Sequence, residues 1–221
     1  MLIKIISYPI LLLFLIINCY ILTSIVSNII YNHQNYYWFA LGIGSYLLFK
    51  YLFRKNINFI ETFVHELTHT IVGILFFQKI HSFSVNNSEE GMVEYSGRHV
   101  NNVFILLSPY CFPIFSYFLL FIKFIIAENS LWIYEIVLGF ITCFHFITMI
   151  KDMHPKQSDI KKSGYLFSYL FILAFLSFNI YIVLNSVQVS LINSFLNWCN
   201  VAYEQTISII NCFMMYHSPI T

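Results

Sequence analysis

The run Glu61-Thr62-Phe63-Val64-His65-Glu66-Leu67-Thr68-His69-Thr70 sets ionisable side chains inside an otherwise apolar stretch, roughly residues 57–78. Its core is H-E-x-x-H. On a helix, His65 and His69 stand at i and i+4, so both imidazoles project from one face about one turn apart. That spacing suits two corners of a tetrahedral zinc site. Glu66 lies about 100° round the helix from His65, where it flanks a metal and can take the proton of an attacking water. With 8 histidines in 221 residues, such a pattern arises by accident in roughly one chain in a hundred. His and Glu are also costly inside a bilayer, which makes them functional candidates there by default.

The surroundings of the motif decide the fold class. The chain is 59% hydrophobic, 19% aromatic and only 10% charged, with mean hydropathy +0.74. A soluble domain carries about 25% charged residues. This composition cannot cover a surface with polar groups, so the sequence predicts an all-α integral membrane protein, multi-pass, in contact with the lipid bilayer. A net charge of +1 without a basic block gives no support for nucleic-acid binding. Cys19, Cys111, Cys143, Cys199 and Cys212 are scattered through apolar segments with no C-x-x-C. They read as small buried hydrophobes. Asn86-Asn87-Ser88 matches a glycosylation acceptor formally, which matters only in a eukaryotic secretory lumen. No long linker, repeat or low-complexity tail divides the chain, and residues 1–221 read as one membrane-embedded domain.

About six transmembrane helices follow from the apolar runs at 5–30, 38–53, 57–78, 103–126, 131–150 and 165–187. The first is too long for a signal-peptide core, which spans about 7–15 residues. After the H-E-x-x-H helix, Lys79–Val100 alternates in Ile80, Ser82, Phe83 and Val85, breaks at 86–91 and resumes at Met92, Val93 and Tyr95. That pattern predicts a short β-hairpin, with a plain loop as its alternative. A strand pair there offers unpaired edge groups to an extended peptide. Ser108-Pro109 and Pro113 interrupt the fourth run and free backbone carbonyls. Residues 190–218 place Leu191, Phe195, Trp198 and Ala202 at helical spacing, giving an amphipathic or transmembrane C-terminal helix.

A catalytic zinc site needs three protein ligands and an open position. The only aspartates are Asp152 and Asp159, both in the connection 149–162. Asp159 leads into the sixth run, where a helix N-terminus holds a carboxylate ionised. It is the favoured third ligand, with a helix N-cap as its bland reading. Asp152 trails the fifth run beside Lys151, where a surface salt bridge is the simple alternative. His145, His154 and Glu135 stay open as lesser choices. Glu61, one turn before His65, either hydrogen-bonds a ligating imidazole or is an interfacial, solvated carboxylate. His33, His81, His99 and His217 read as exposed or interface residues.

The motif H-E-L-T-H at 65–69, the hairpin, Ser108-Pro109-Tyr110, and Gln157-Ser158-Asp159-Ile160 before Gly164-Tyr165 together resemble site-2-protease-like intramembrane zinc metallopeptidases, in particular their compact bacterial branch. The likeness covers roughly residues 57–185, and only H-E-x-x-H is specific by itself. It implies Zn²⁺ held by His65, His69 and Asp159, with Glu66 as general base. It also implies transmembrane or membrane-associated peptides as substrates, and a bacterial cell membrane as the location. Thr68 stands where such proteins often have glycine, and Asp159 is followed by Ile160 in place of the usual glycine. Two other enzyme or protein classes compete with this reading. One is a membrane zinc protease with a glutamate third ligand, which would promote Glu135. The other is a catalytically silent scaffold or peptide-export or maturation partner that retains a metal. A transporter using His65, Glu66 and His69 as a path is disfavoured, since no further carboxylates lie on neighbouring runs. Oligomeric state does not follow from the sequence.

Overall fold

A computed structural model describes residues 2–53, 57–85, 91–96 and 102–217. The chain begins with α1 (Leu2–Tyr31), followed after a short turn by α2 (Tyr37–Leu52) and α3 (Ile57–Leu75). Two strands come next, β1 (Lys79–Val85) and β2 (Gly91–Ser96). The remainder is helical: α4 (Val103–Leu107), α5 (Ile114–Ile122), α6 (Leu131–Asp152), α7 (Ser158–Ser163), α8 (Tyr165–Gln188) and α9 (Leu191–His217).

Three helices are long and apolar enough to cross a membrane: Ser7–Tyr31, Glu128–Asp152 and Tyr165–Gln188. A fourth crossing arises if Val103–Tyr110 and Ile114–Ile125, bent by 82°, act as one broken span. The six spans expected from the sequence are therefore not confirmed: three helices, or four with the bent pair, have the length and apolarity of a crossing among the described residues. The reasons are physical. α2 has 16 residues, and at 1.5 Å per residue it falls short of a hydrocarbon core of about 30 Å. α3 is long enough, but Glu61, Glu66, His65 and His69 dilute its apolarity. Prolines 109 and 113 remove two amide donors and let the fourth run bend. The outward face of α1 exposes Ile10, Leu12, Ile16 and Tyr20, as a lipid-facing helix does.

The hairpin is present. β1 and β2 pair antiparallel, with Phe83 opposite Val93 and an irregularity between Ile80 and Ser82. The turn at 86–90 lies outside the described residues, as do Asn86-Asn87-Ser88 and His99.

α2 and α6 approach closely through two glycines. A Cβ on Gly42 would sit 2.1 Å from the Ile136 carbonyl oxygen, and one on Gly139 would sit 2.1 Å from that of Phe39. Absence of side chains at both positions is what lets the backbones meet. α1 packs on α8, and α9 joins them through Trp198, whose Nε1 donates to Asn18 Oδ1 at 2.8 Å. α9 is not among the spans; Asn193, Asn197, Asn200 and Glu204 make it amphipathic. A core containing Leu107, Tyr110, Met149, Ile160 and Ile172 lies among α4, α6, α7 and α8. It clamps the six-residue α7 through Ile160, which is fully buried. Gly164, at φ 91°, then turns the chain from α7 into α8.

Candidate metal centre

The two imidazoles of α3 face the same side, with ring centroids 5.1 Å apart. Each Nδ1 is occupied. His69 Nδ1 donates to the Ile105 carbonyl oxygen at 2.8 Å. In an uninterrupted helix that carbonyl would accept from the amide four residues on, but position 109 is proline and has none. The freed oxygen takes His69 and, at 2.9 Å, the Ser108 hydroxyl. His65 Nδ1 lies 2.9 Å from Asp152 Oδ2. A carbonyl or carboxylate oxygen only accepts, so both rings carry hydrogen on Nδ1, and Nε2 is the nitrogen left to face a metal.

Asp159 enters from α7. Its Oδ2 lies 3.3 Å from His69 Nε2 and accepts from the Tyr110 hydroxyl at 3.3 Å. Tyr110 is fully buried, and its ring stands edge-on to His65 with centroids 5.1 Å apart.

One ligand atom each from His65, His69 and Asp159 lies within 4.8 Å of the others, the one such group of metal-binding type among the described residues. Two neutral imidazole nitrogens and one carboxylate oxygen are a donor set that fits zinc with an open fourth position. Glu66 flanks this group without joining it. Its carboxylate borders a cleft of about 820 Å³ that also touches Val85, Gly91, Met92, Asp152 and Gln157. The hairpin comes close to it: a Cβ on Gly91 would lie 2.4 Å from Glu66 Cγ and 2.7 Å from its Oε1. An apolar cavity of about 580 Å³ between α3, α4, α8 and α9 contains none of these groups.

Other sequence candidates lie elsewhere. Glu61 is neither solvated nor bonded to an imidazole. It is 2% exposed and forms ion pairs with Lys50 at 2.8 Å and Lys151 at 2.7 Å. His145 is buried against α5, with Nε2 accepting from the Phe115 amide. His154 Nδ1 accepts from the Lys156 amide at the surface. Glu135, at the far end of α6 from Asp152, is roughly 25 Å along the helix from that site. Among the described residues Asp152 pairs with His65 and with no surface lysine, and it stands outside the three-residue group. The Ile105 carbonyl and the Tyr110 hydroxyl were not anticipated from sequence. The proline four residues after Ile105 was the available signal for the first.

A family model described as Peptidase M50B-like matches residues 38–216. No curated protein and no solved structure matches the chain.

Proposed function

Given that the chain belongs to the Peptidase M50B-like family, we propose that this membrane metallopeptidase is a zinc endopeptidase of the site-2-protease type. It cuts membrane-spanning or membrane-associated peptides within a bacterial cell membrane. The observation that carries this reading is the convergence of His65, His69 and Asp159 beside Glu66. Zinc held by those three residues supplies Lewis acidity, lowering the pKa of a water towards ~7 and polarising a carbonyl.

The chain's own residues supply the rest. Asp152 and the Ile105 carbonyl fix the imidazoles through Nδ1 and leave Nε2 for the metal. Tyr110 holds the Asp159 carboxylate by a hydrogen bond. Glu66 takes the proton of the attacking water and returns it to the leaving amine. The substrate helix unwinds locally, because its carbonyls are otherwise hydrogen-bonded and shielded. The free edge groups of the hairpin, whose Val85, Gly91 and Met92 line the cleft, are the clamp for the unwound segment.

The test is Glu66→Gln in the full chain reconstituted into vesicles with a transmembrane peptide. Zinc content stays at the wild-type level and cleavage falls by several orders of magnitude. A Gln variant that cleaves as fast as wild type removes Glu66 from the mechanism. Stoichiometric zinc in a wild-type chain that turns over no membrane peptide moves the protein to the silent-scaffold reading.

A further inference from the structure

Asp152 touches the centre without belonging to the ligand group, and its surroundings are organised to hold it there. It is the last residue of α6. Its Oδ2 meets His65 Nδ1 at 2.9 Å. The preceding residue, Lys151, donates to Glu61 Oε2 at 2.7 Å and to Asn58 Oδ1 at 3.2 Å. The other oxygen of Glu61 takes Lys50 of α2 at 2.8 Å. Glu61 and His65 are one turn apart on α3, so adjacent residues of α6 grip α3 at two successive turns. A carboxylate as buried as that of Glu61 is tolerable only when charges of opposite sign meet it, and here two do.

We propose that Asp152 is a positioning residue for the metal centre. It fixes His65 in the tautomer with hydrogen on Nδ1 and turns the opposite nitrogen to the metal, while Lys50, Glu61 and Lys151 hold the end of α6 in register. This inference rests on the assignment of His65, His69 and Asp159 as zinc ligands. It separates the two aspartates by role: Asp159 reaches His69 Nε2, the metal-facing edge, whereas Asp152 reaches the opposite edge of His65. His69 is held through the same nitrogen by a neutral carbonyl. The two ligands therefore differ in strength, because a carboxylate partner makes an imidazole the better donor.

The experiment uses the full chain in detergent or nanodiscs, with Zn²⁺ titrated against a chromophoric chelator and Co²⁺ substituted for its absorption bands. Asp152→Ala lowers zinc affinity by about 10- to 100-fold, still binds one equivalent at saturation, and shifts the cobalt bands. Asp152→Asn retains an oxygen acceptor for Nδ1–H and recovers most of the lost affinity. Asp159→Ala loses stoichiometric zinc. Should the alanine variant not fold, the asparagine variant decides alone: one equivalent of zinc with a residual loss of affinity and shifted cobalt bands supports the assignment, and wild-type affinity with wild-type bands overturns it. Wild-type affinity and cobalt spectra in both Asp152 variants overturn it. So does an asparagine variant that loses zinc as completely as Asp159→Ala, since Asp152 is then a ligand. A wild-type chain that takes up no zinc overturns the ligand set itself, an outcome distinct from either failure at Asp152.

Discussion

Ile105 is an apolar residue whose service to the centre is its backbone oxygen. That oxygen is available because the amide that would have claimed it is missing at Pro109. Pro109→Ala restores the donor and sets it in competition with His69 Nδ1. Zinc affinity should fall by about tenfold, as for other losses of a partner behind a ligating histidine. Chelator competition measures it, and an unchanged affinity would show that the proline is incidental. Gly91 raises a second residue-scale question. An alanine there meets Glu66 Cγ at 2.4 Å, and the flexible Glu66 side chain is what gives way. Gly91→Ala should therefore leave zinc content and melting temperature near wild type while kcat drops on the order of 100-fold, the usual consequence of displacing a catalytic group by about 1 Å. A kcat within threefold of wild type would mean that the hairpin does not set the base. The ligand histidines and Glu66 were readable from sequence because helical spacing alone places them. The partners of the histidines' far edges were not, since Asp152 and Ile105 reach them only through the packing of α4 and α6 on α3.

Among the elements, those with a clear period were legible. The hairpin follows from alternation, and α1, α6 and α8 follow from uninterrupted apolar runs. The count of spans was not legible, because apolar composition does not distinguish a crossing helix from an equally apolar one that is too short to cross. α2 is such a case: it runs against α6 through Gly42 and Gly139, and its length is 16 residues. The same glycines give a prediction with a built-in control. Gly139→Ala forces a methyl to within 2.1 Å of the Phe39 carbonyl oxygen, a backbone atom that cannot swing aside. It should destabilise by about 1–3 kcal/mol. Gly44→Ala, on the same helix as Gly42 but facing open space, should be neutral or stabilise by up to about 1 kcal/mol through helix propensity. Thermal unfolding at fixed free zinc reads both. Equal effects from the two substitutions would dissolve the argument that α2 and α6 meet backbone to backbone.

At the scale of the whole molecule, the ligands come from two segments far apart in the chain, α3 and α7, and their supports come from α4 and α6. The sequence shows that a third ligand is required, and it offers two aspartates seven positions apart, Asp152 and Asp159. Only the turn between α6 and α7 sends one to the metal-facing edge of His69 and the other to the far edge of His65. A metal bound across α3 and α7 ties together segments that are otherwise joined by way of α4, which packs on both, and by the His69–Asp159 pair. Such a metal binds the folded chain and not the unfolded one, so it must add to stability by mass action. Free zinc at one hundred times its dissociation constant should add about 2.7 kcal/mol, and removing it with a chelator should take the same amount away. His69→Ala and Asp159→Ala should each flatten the dependence of melting temperature on free zinc. Glu66→Gln should keep it, because Glu66 lies outside the ligand group. A wild-type melting temperature indifferent to chelator would mean that these three side chains hold no metal, whatever activity the chain displays.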